Sequence, residues 1–213
     1  MAVTPSEFPL VRKRLPAEER RALILEVSRG LFAQNGFHAT GTIEIAAAAG
    51  CSEPIIYKHF ASKQALFAAV VEDCALEMRS MLDQTLVDHP DPLDAYAAFA
   101  RRFVSEPRFI EITRLRTLAL SLVHEPEVLQ ALLRLSEMMR GRWAAILTEG
   151  QQTGAVRSDL PMEQVCMLGL GLSLTAGYLR ALGNDAALTT LGDTVETMIA
   201  LLRPPMQEGG DPV

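Results

Sequence analysis

Helical periodicity, interrupted by prolines and glycines, constrains this chain more than any other feature of its sequence. Apolar residues recur at four-residue spacing soon after the N-terminus, as at Leu23, Val27 and Leu31. Prolines suited to a first helical turn stand at or just before the starts of three later segments: Pro107, Pro126 and Pro161. No stretch alternates in the manner of a strand, and no repeat of fixed length occurs. The predicted fold is therefore all-α.

Two helical domains of unequal size are expected. Residues 18–78 would form a smaller N-terminal domain of three helices with a helix-turn-helix at 41–60, and residues 79–204 a larger C-terminal helical domain. The remaining residues, 1–17 and 205–213, are expected to be flexible tails. The basic run Arg12-Lys13-Arg14 in the first tail is either a solubilising segment or an arm that enters a minor groove.

Charge is distributed unevenly along the chain. The formal net charge is -6, yet residues 1–63 carry a net charge of +2 and the remainder -8. An acidic body with a mildly basic end is compatible with DNA contact through that end, because phosphate attraction is local. No apolar stretch reaches the roughly 18 residues needed to span a membrane, and the N-terminus lacks a secretory pattern, so a cytoplasmic protein is expected.

Residue patterns for catalysis or for metal binding are missing from the sequence. Cys51, Cys74 and Cys166 are widely separated and have no neighbouring ligands at metal-binding spacing, so we expect reduced core cysteines; a redox sensor would need an exposed thiolate. No phosphate-binding loop or Ser-His-Asp order occurs either. We therefore expect no cofactor and no enzymatic activity. The rival hypothesis is a helical small-molecule-binding protein or enzyme whose N-terminal unit is only structural.

The stretch from Thr40 to Lys63 has the properties of a two-helix unit that binds DNA. Ala46 and Ala49 permit close helix approach, and Gly50 permits a tight turn. Inserted by its N-terminal half, the second helix would present Glu53, Pro54 and Ile55 to base edges. Residues predicted to contact phosphates are Thr40, Thr42, Tyr57, Lys58, His59 and Lys63.

The order of residues in this region resembles the TetR/AcrR family of transcriptional regulators. The residues that carry the resemblance are Gly36-Phe37, Thr40, Glu44-Ile45-Ala46, Ala49-Gly50, Ser52, Ile56-Tyr57, His59-Phe60, Ser62-Lys63 and Leu66-Phe67. The resemblance implies a third helix that reads DNA, a divergent helical domain that holds an inducer, and dimerisation through the last two long helices. Glu53-Pro54-Ile55 departs from the basic and hydroxyl-bearing triplet that is more usual in the family.

Bulky apolar side chains of the C-terminal domain are the candidates for a ligand pocket. Met adapts to irregular apolar ligands and Trp143 offers a large amphipathic wall, which favours an apolar or aromatic ligand. The predicted lining is Met78, Tyr96, Phe99, Phe103, Leu118, Leu122, Met139, Trp143 and Met167. His124 would either orient a polar group of the ligand or cap a helix end.

Small residues line one face of the penultimate helix. Helical glycines cost about 1 kcal/mol each relative to alanine, so close packing against another helix is the natural offset. We predict a two-fold, four-helix interface, with internal packing as the alternative. The predicted interface residues are Gly169, Ser173, Gly177, Val195, Met198, Ile199 and Leu202.

Together these features predict a homodimeric transcription regulator that binds a pseudo-palindromic operator in double-stranded DNA. Repression relieved by a small molecule is the expected mode. The sequence does not separate a repressor from an activator, because that depends on where the operator lies relative to a promoter.

Overall fold

The computed structural model describes residues 15–205, except for the side chains of Phe103 and Val104. The tails that contain Arg12-Lys13-Arg14 and residues 206–213 lie outside this range. Within it every regular element is a helix, with no strand, and the predicted all-α fold is confirmed. The helices are α1 (Ala17–Asn35), α2 (Thr42–Ala48), α3 (Glu53–His59), α4 (Lys63–Asp88), α5 (Pro92–Ser105), α6 (Pro107–Leu120), α7 (Pro126–Thr153), α8 (Met162–Ala181) and α9 (Asp185–Leu202).

The helix starts follow directly from local sequence. Pro92, Pro107 and Pro126 open α5, α6 and α7, where a missing N–H removes no intrahelical bond. Asp91 caps α5 by accepting hydrogen bonds from the backbone N–H of Leu93 (3.0 Å) and of its successor (2.9 Å). Helix α6 ends at Leu120, four residues before His124, and α7 extends to Thr153.

The N-terminal helices pack on an aromatic core. Phe32, Phe37 and Phe67 lie with their ring centroids 5.1 to 5.8 Å apart, in edge and stacked arrangements that favour aromatic packing. Ile45 and Ile56 are buried in the same cluster, which ties the two short helices to α1 and α4. Helix α3 is thereby held with one face inward.

In the C-terminal part, α5, α6 and α7 pack against α4, and α8 and α9 pack in turn on these helices. Helices α4 and α7 form the most extensive helix pair, and α5, α6, α8 and α9 complete the bundle. Tyr96, Phe99 and Trp143 form a second aromatic group, with ring centroids 4.7 and 5.5 Å apart. The predicted domain boundary between residues 78 and 79 falls inside α4, which therefore belongs to both parts. None of the described helices is long and apolar enough to cross a membrane.

Candidate nucleic-acid interface and ligand cavity

Helices α2 and α3 form a rigid unit around a tight turn. Gly50 has a φ of 62°, a left-handed conformation that residues with a side chain adopt at a cost. The N–H of Cys51 donates to the carbonyl of Ala46 (2.9 Å) and closes the turn. Ile56 and Phe60 are buried beneath α3, four residues apart on one face. Because the inward face is fixed, the outward face of α3 has a defined direction.

The outward face of α3 carries most of the predicted DNA contacts. Tyr57 is 48% exposed, and Pro54 and Lys58 are also exposed. Glu53, Ile55 and His59 are half-buried at its edges. The predicted base-reading residues thus lie in the first turn of α3, and the predicted phosphate-contacting residues lie farther along the same helix. These assignments stay predictions.

A polar cluster joins α2 to α3 at this surface. The hydroxyl of Thr42 donates to the carboxylate of Glu53, and the hydroxyl oxygens of Thr42 and Tyr57 lie 3.4 Å apart. The carboxylate that the sequence suggested for base reading is therefore engaged by a neighbouring helix.

Two predicted phosphate contacts are modified by the structure. Thr40 is fully buried, and its hydroxyl donates to the carbonyl of Gly36 (2.7 Å), so the prediction that it meets phosphate is wrong for this conformation. Its hydroxyl satisfies a loop carbonyl instead. Lys63 is half-buried, with its Nζ 4.5 Å from the ring centre of Phe37, and burial lowers the pKa of its ammonium group. It lies at the start of α4, near the exposed end of α3.

An apolar cavity of about 120 Å³ lies in the C-terminal bundle. Helices α4 to α9 all contribute to its walls. Of the residues predicted for a pocket, those that line it are Met78, Tyr96, Phe99, Met139 and Trp143. A phenol against an indole and a phenyl ring gives the wall a strongly aromatic character.

Three other predicted pocket residues point elsewhere. Leu122 is fully buried in the core beyond the end of α6, and Leu118 packs against that core. Met167 is 56% exposed on the outer side of α8, whereas Cys166 and Gly169 of the same helix line the cavity. The side chain of Phe103, also predicted for the pocket, lies outside the described part of the structure. His124 is exposed and follows the end of α6, 3.7 Å from the carboxylate of Glu125, so it neither caps α6 nor lines the cavity.

The sequence did not point to the arginines of the cavity wall. Arg101, Arg116 and Arg140 all line it, together with Ser173 of α8. A charged residue on an amphipathic helix normally marks the solvent side. Arg116, however, falls between the buried residues Leu115 and Ala119. This interruption of an apolar helix face was the sequence signal that could have predicted a buried arginine.

The predicted dimer interface is corrected by the packing of α8. Gly169 lies against the hydroxyl of Tyr96, and a Cβ at Gly177 would lie 2.9 Å from Thr113 of α6, so both glycines permit close contact within the subunit. Gly169, Ser173 and Val195 line the cavity. Ile199 and Leu202 are buried in the core, and Met198 packs against it. The small residues therefore allow internal packing, the alternative considered above.

The exposed surface of α8 and of the last turn of α9 carries little charge, whereas Asp185, Asp193 and Glu196 are exposed earlier on α9. On α8 the exposed residues recur at three- and four-residue spacing. The large apolar members of this surface are Met167, Leu168, Leu174, Tyr178, Leu182 and Leu201. Contiguous apolar surface of this kind marks interaction sites on proteins.

Charged residues connect the N-terminal unit to the C-terminal bundle. Arg29 of α1 is 1% exposed, and its guanidinium donates to Glu77 of α4 and to Glu111 of α6. Arg108 donates to the same two carboxylates, at 2.6 and 3.2 Å. Burial alone would raise the pKa of Glu77, but the hydrogen bonds from Arg108 and Arg29 outweigh it and lower that pKa. This group, Arg29, Glu77, Arg108 and Glu111, is called the junction cluster below.

None of the residues 15–205 forms a group of three or more histidines, cysteines and carboxylates able to hold a metal ion. Cys74 and Cys166 are buried, and Cys51 is half-buried at the turn before α3. Burial raises the pKa of the Cys74 thiol to about 12, which keeps it protonated.

Comparisons with known proteins agree with this architecture. Residues 24–70 match the family model described as bacterial regulatory proteins, tetR family, and residues 91–193 match the C-terminal domain of transcriptional regulators like SbtR. A regulator from Cytophaga hutchinsonii, described as TetR family, has the same fold with a TM-score of 0.78 at 16% identity, over 91% of this chain and 100% of that one.

Two curated relatives are similar over different lengths. The transcriptional activator FasR of Mycolicibacterium smegmatis is 46% identical over 59 residues, which are 28% of this chain and 27% of that protein. The transcriptional repressor KstR2 of Rhodococcus jostii is 24% identical over 165 residues, which cover 68% of this chain and 71% of the relative. Together, the two family models and the shared fold show that this chain belongs to the TetR family of transcriptional regulators.

Proposed function

We propose that the protein is a repressor that binds a pseudo-palindromic operator as a homodimer and leaves it when a small molecule fills the cavity. The observation that carries the proposal is the α2–α3 unit. It buries Ile56 and Phe60 and turns Pro54, Tyr57 and Lys58 outward on a short rigid helix. A cytoplasmic location follows from this role.

The DNA-contacting surface is assigned residue by residue. Glu53, Pro54 and Ile55 in the first turn of α3 read base edges, with Ile55 against a thymine methyl group. Phosphates on either side are held by Thr42, Tyr57, Lys58, His59 and Lys63. Residues 18–78 form the DNA-binding domain, and the net positive charge of residues 1–63 attracts the duplex locally.

Dimerisation occurs through the exposed face of α8 and α9 rather than through the glycine face first predicted. Leu168, Tyr178 and Leu182 lie along α8, and Leu201 extends the surface. A two-fold axis across this face would join two helices from each subunit into a four-helix interface. The two copies of α3 would then meet successive major grooves.

Helix α6 connects the two functional parts. It carries Arg116 at the cavity and Glu111 in the junction cluster, about 7.5 Å apart along the helix axis. A ligand that moves α6 by a fraction of a turn would therefore displace Glu111, which accepts a hydrogen bond from Arg29 of α1. The spacing of the recognition helices would change, and operator affinity would fall.

Repression is favoured over activation by the extent of the similarities. The similarity to the activator FasR is confined to 59 residues, whereas the similarity to the repressor KstR2 covers 68% of this chain. A promoter fusion tests the assignment: adding the protein should lower transcription from a promoter that contains the selected operator. Increased transcription would contradict the repressor assignment and leave DNA binding intact.

Selection from fragmented genomic DNA tests the proposal most simply. The full chain should retain fragments that share an inverted repeat at ~150 mM salt. Tyr57→Ala should weaken binding to all fragments, whereas Ile55→Ala should change the retained sequence. Arg79→Ala, on the exposed face of α4, serves as the matched control and should change neither. Retention without an enriched sequence, or an unchanged repeat with Ile55→Ala, would contradict the proposed arrangement of α3.

A further inference from the structure

Arg116 presents a buried guanidinium to the cavity. The residue is 8% exposed, and its Nη2 donates to the backbone carbonyl of Ser173 (2.8 Å) and to the Ser173 hydroxyl (3.3 Å). Its Nε is buried and has no hydrogen-bond partner in the described part of the chain. Buried polar atoms in proteins are nearly always satisfied, so an unsatisfied charged donor at a cavity wall requires an explanation.

The charges around the cavity are one-sided. Arg101 and Arg140 also line it, but each has a carboxylate outside the cavity, from Glu196 and Glu137 respectively, both at 2.6 Å. No Asp or Glu is among the described residues of the cavity wall, and none of the described carboxylates pairs with Arg116. Burial lowers the pKa of Arg116 to about 10, which leaves it charged at neutral pH.

The remainder of the wall is apolar and limits the size of an occupant. Phe99 and Trp143 form one side, and Met78 and Met139 add flexible thioethers. The volume of about 120 Å³ is close to that of an engineered cavity of about 150 Å³ that accommodates benzene. An occupant of this conformation therefore has an apolar body of about one aromatic ring.

We propose that the effector is a small amphipathic carboxylate, whose carboxylate pairs with Arg116 and Ser173 and whose apolar body packs against Trp143. The effector role rests on the proposed function; the binding site itself does not. A guanidinium edge offers two parallel N–H donors, which match the two oxygens of a carboxylate. The Ser173 hydroxyl, which now donates to the carbonyl of Leu170 at 2.8 Å, is placed to rotate toward the same anion.

The chain provides its own probe, because Trp143 is its single tryptophan and lies in the cavity wall. Benzoate, phenylacetate and octanoate are titrated against the full chain while tryptophan fluorescence is recorded, and each is compared with its uncharged primary amide and with phenyl phosphate. Each acid that fits should bind at least tenfold more tightly than its amide. Equal affinity of acid and amide, tighter binding of phenyl phosphate, or no saturable binding by any acid would overturn the proposal.

Substitution of the arginine separates a ligand contact from a structural role. Arg116→Met should remove the preference for acid over amide and leave amide affinity within about twofold, because methionine preserves an apolar wall of similar length. Arg116→Lys should retain part of the preference. Arg79→Met, on the exposed surface of α4, is the matched loss of one positive charge and should retain all of it. If the Arg116→Met variant still prefers the acid to the amide, another group binds the carboxylate and the proposal is overturned.

Operator binding by the same variant distinguishes this inference from the proposed function. Arg116→Met without ligand should bind the selected operator as the unsubstituted protein does. If the acid preference is found but no operator is ever selected, the proposed function fails and the carboxylate site stands. If the operator is bound but acids and amides are equivalent, only the carboxylate site fails.

Discussion

Two buried arginines, one at the junction of α1 with α4 and α6 and one in the cavity wall, differ in what balances their charge. Arg29, at the junction between α1, α4 and α6, is 1% exposed and donates to the carboxylates of Glu77 and Glu111. Arg116, in the cavity wall, is 8% exposed and donates to Ser173. Within residues 15–205 each of these arginines has one guanidinium nitrogen without a hydrogen-bond partner, yet of the two only Arg29 is paired with carboxylates.

This difference separates a structural arginine from a binding arginine. A buried charge with two carboxylates is balanced by the fold, and its removal takes from those carboxylates the more deeply buried of their two arginine partners. A buried charge with no carboxylate is balanced only when a ligand supplies one, so the fold is stable in spite of it. We therefore expect substitution by methionine to change the free energy of unfolding in opposite directions at the two positions.

The largest effect is expected for Arg29→Met. Glu77 and Glu111 would lose their buried partner, and because each is about a quarter exposed and can be partly hydrated, the cost should be about 3 kcal/mol, at the low end for such pairs. The free energy of unfolding, measured by urea denaturation, tests this. Arg79→Met is the control and should change it by less than ~0.5 kcal/mol. A loss no larger than that of the control would show that the junction cluster contributes nothing to the fold.

Arg116→Met should change the free energy of unfolding in the opposite direction. Replacing an unpaired buried charge with an apolar side chain removes its desolvation cost, and we expect a gain of roughly 1 kcal/mol in the free energy of unfolding. Urea denaturation of the ligand-free protein measures it. A loss comparable to that of Arg29→Met would mean that Arg116 is held by the fold for structural reasons and would erase the distinction between the two arginines.

A smaller effect is expected on communication between the two regions. Glu111→Gln keeps the size of the side chain and weakens its bond to Arg29, and it does not touch the cavity wall. The coupling free energy, obtained from the ratio of operator affinities with and without a bound carboxylate, should fall by about 0.5–2 kcal/mol. The carboxylate affinity measured by fluorescence should change little. An unchanged ratio would place the path of communication elsewhere in the bundle.

The smallest effect concerns acid stability. Because the pKa of Glu77 is lowered in the folded protein, its contribution is present above the ordinary glutamate pKa and is lost as the pH falls through the lowered value. Urea denaturation between pH 6 and pH 3, about the range in which carboxylates titrate, should show a steeper decline for the unsubstituted protein than for Glu77→Gln. Parallel declines would indicate that Glu77 has the same pKa in the folded and unfolded states.

The helices and the DNA-binding unit were accessible from the sequence because local rules determine them. Prolines at first turns, Gly50 at the turn, and the four-residue spacing of Ile56 and Phe60 depend only on neighbours in the chain. About half of the residues predicted for a ligand pocket line the cavity for a similar reason: aromatic and methionine side chains fill the interior of a helical bundle wherever one forms.

The errors arose where distant residues decide the environment. Arg116 is buried because α8 covers it, and its partner Ser173 lies 57 residues away. The glycines of α8 indicated a close approach, but the sequence did not show whether Tyr96 of the same subunit or a second subunit would approach them. Thr40 has a hydroxyl suited to phosphate, yet in the folded chain this hydroxyl donates a hydrogen bond to the carbonyl of Gly36.

The most direct test of the account is the operator affinity of the full chain, measured on its selected inverted repeat with and without a saturating carboxylate identified by Trp143 fluorescence. We predict that the carboxylate weakens operator binding at least tenfold, about 1.4 kcal/mol, and that the Arg116→Met variant binds the operator equally well but no longer responds to the carboxylate. A carboxylate that saturates the cavity and leaves operator affinity unchanged would contradict this prediction.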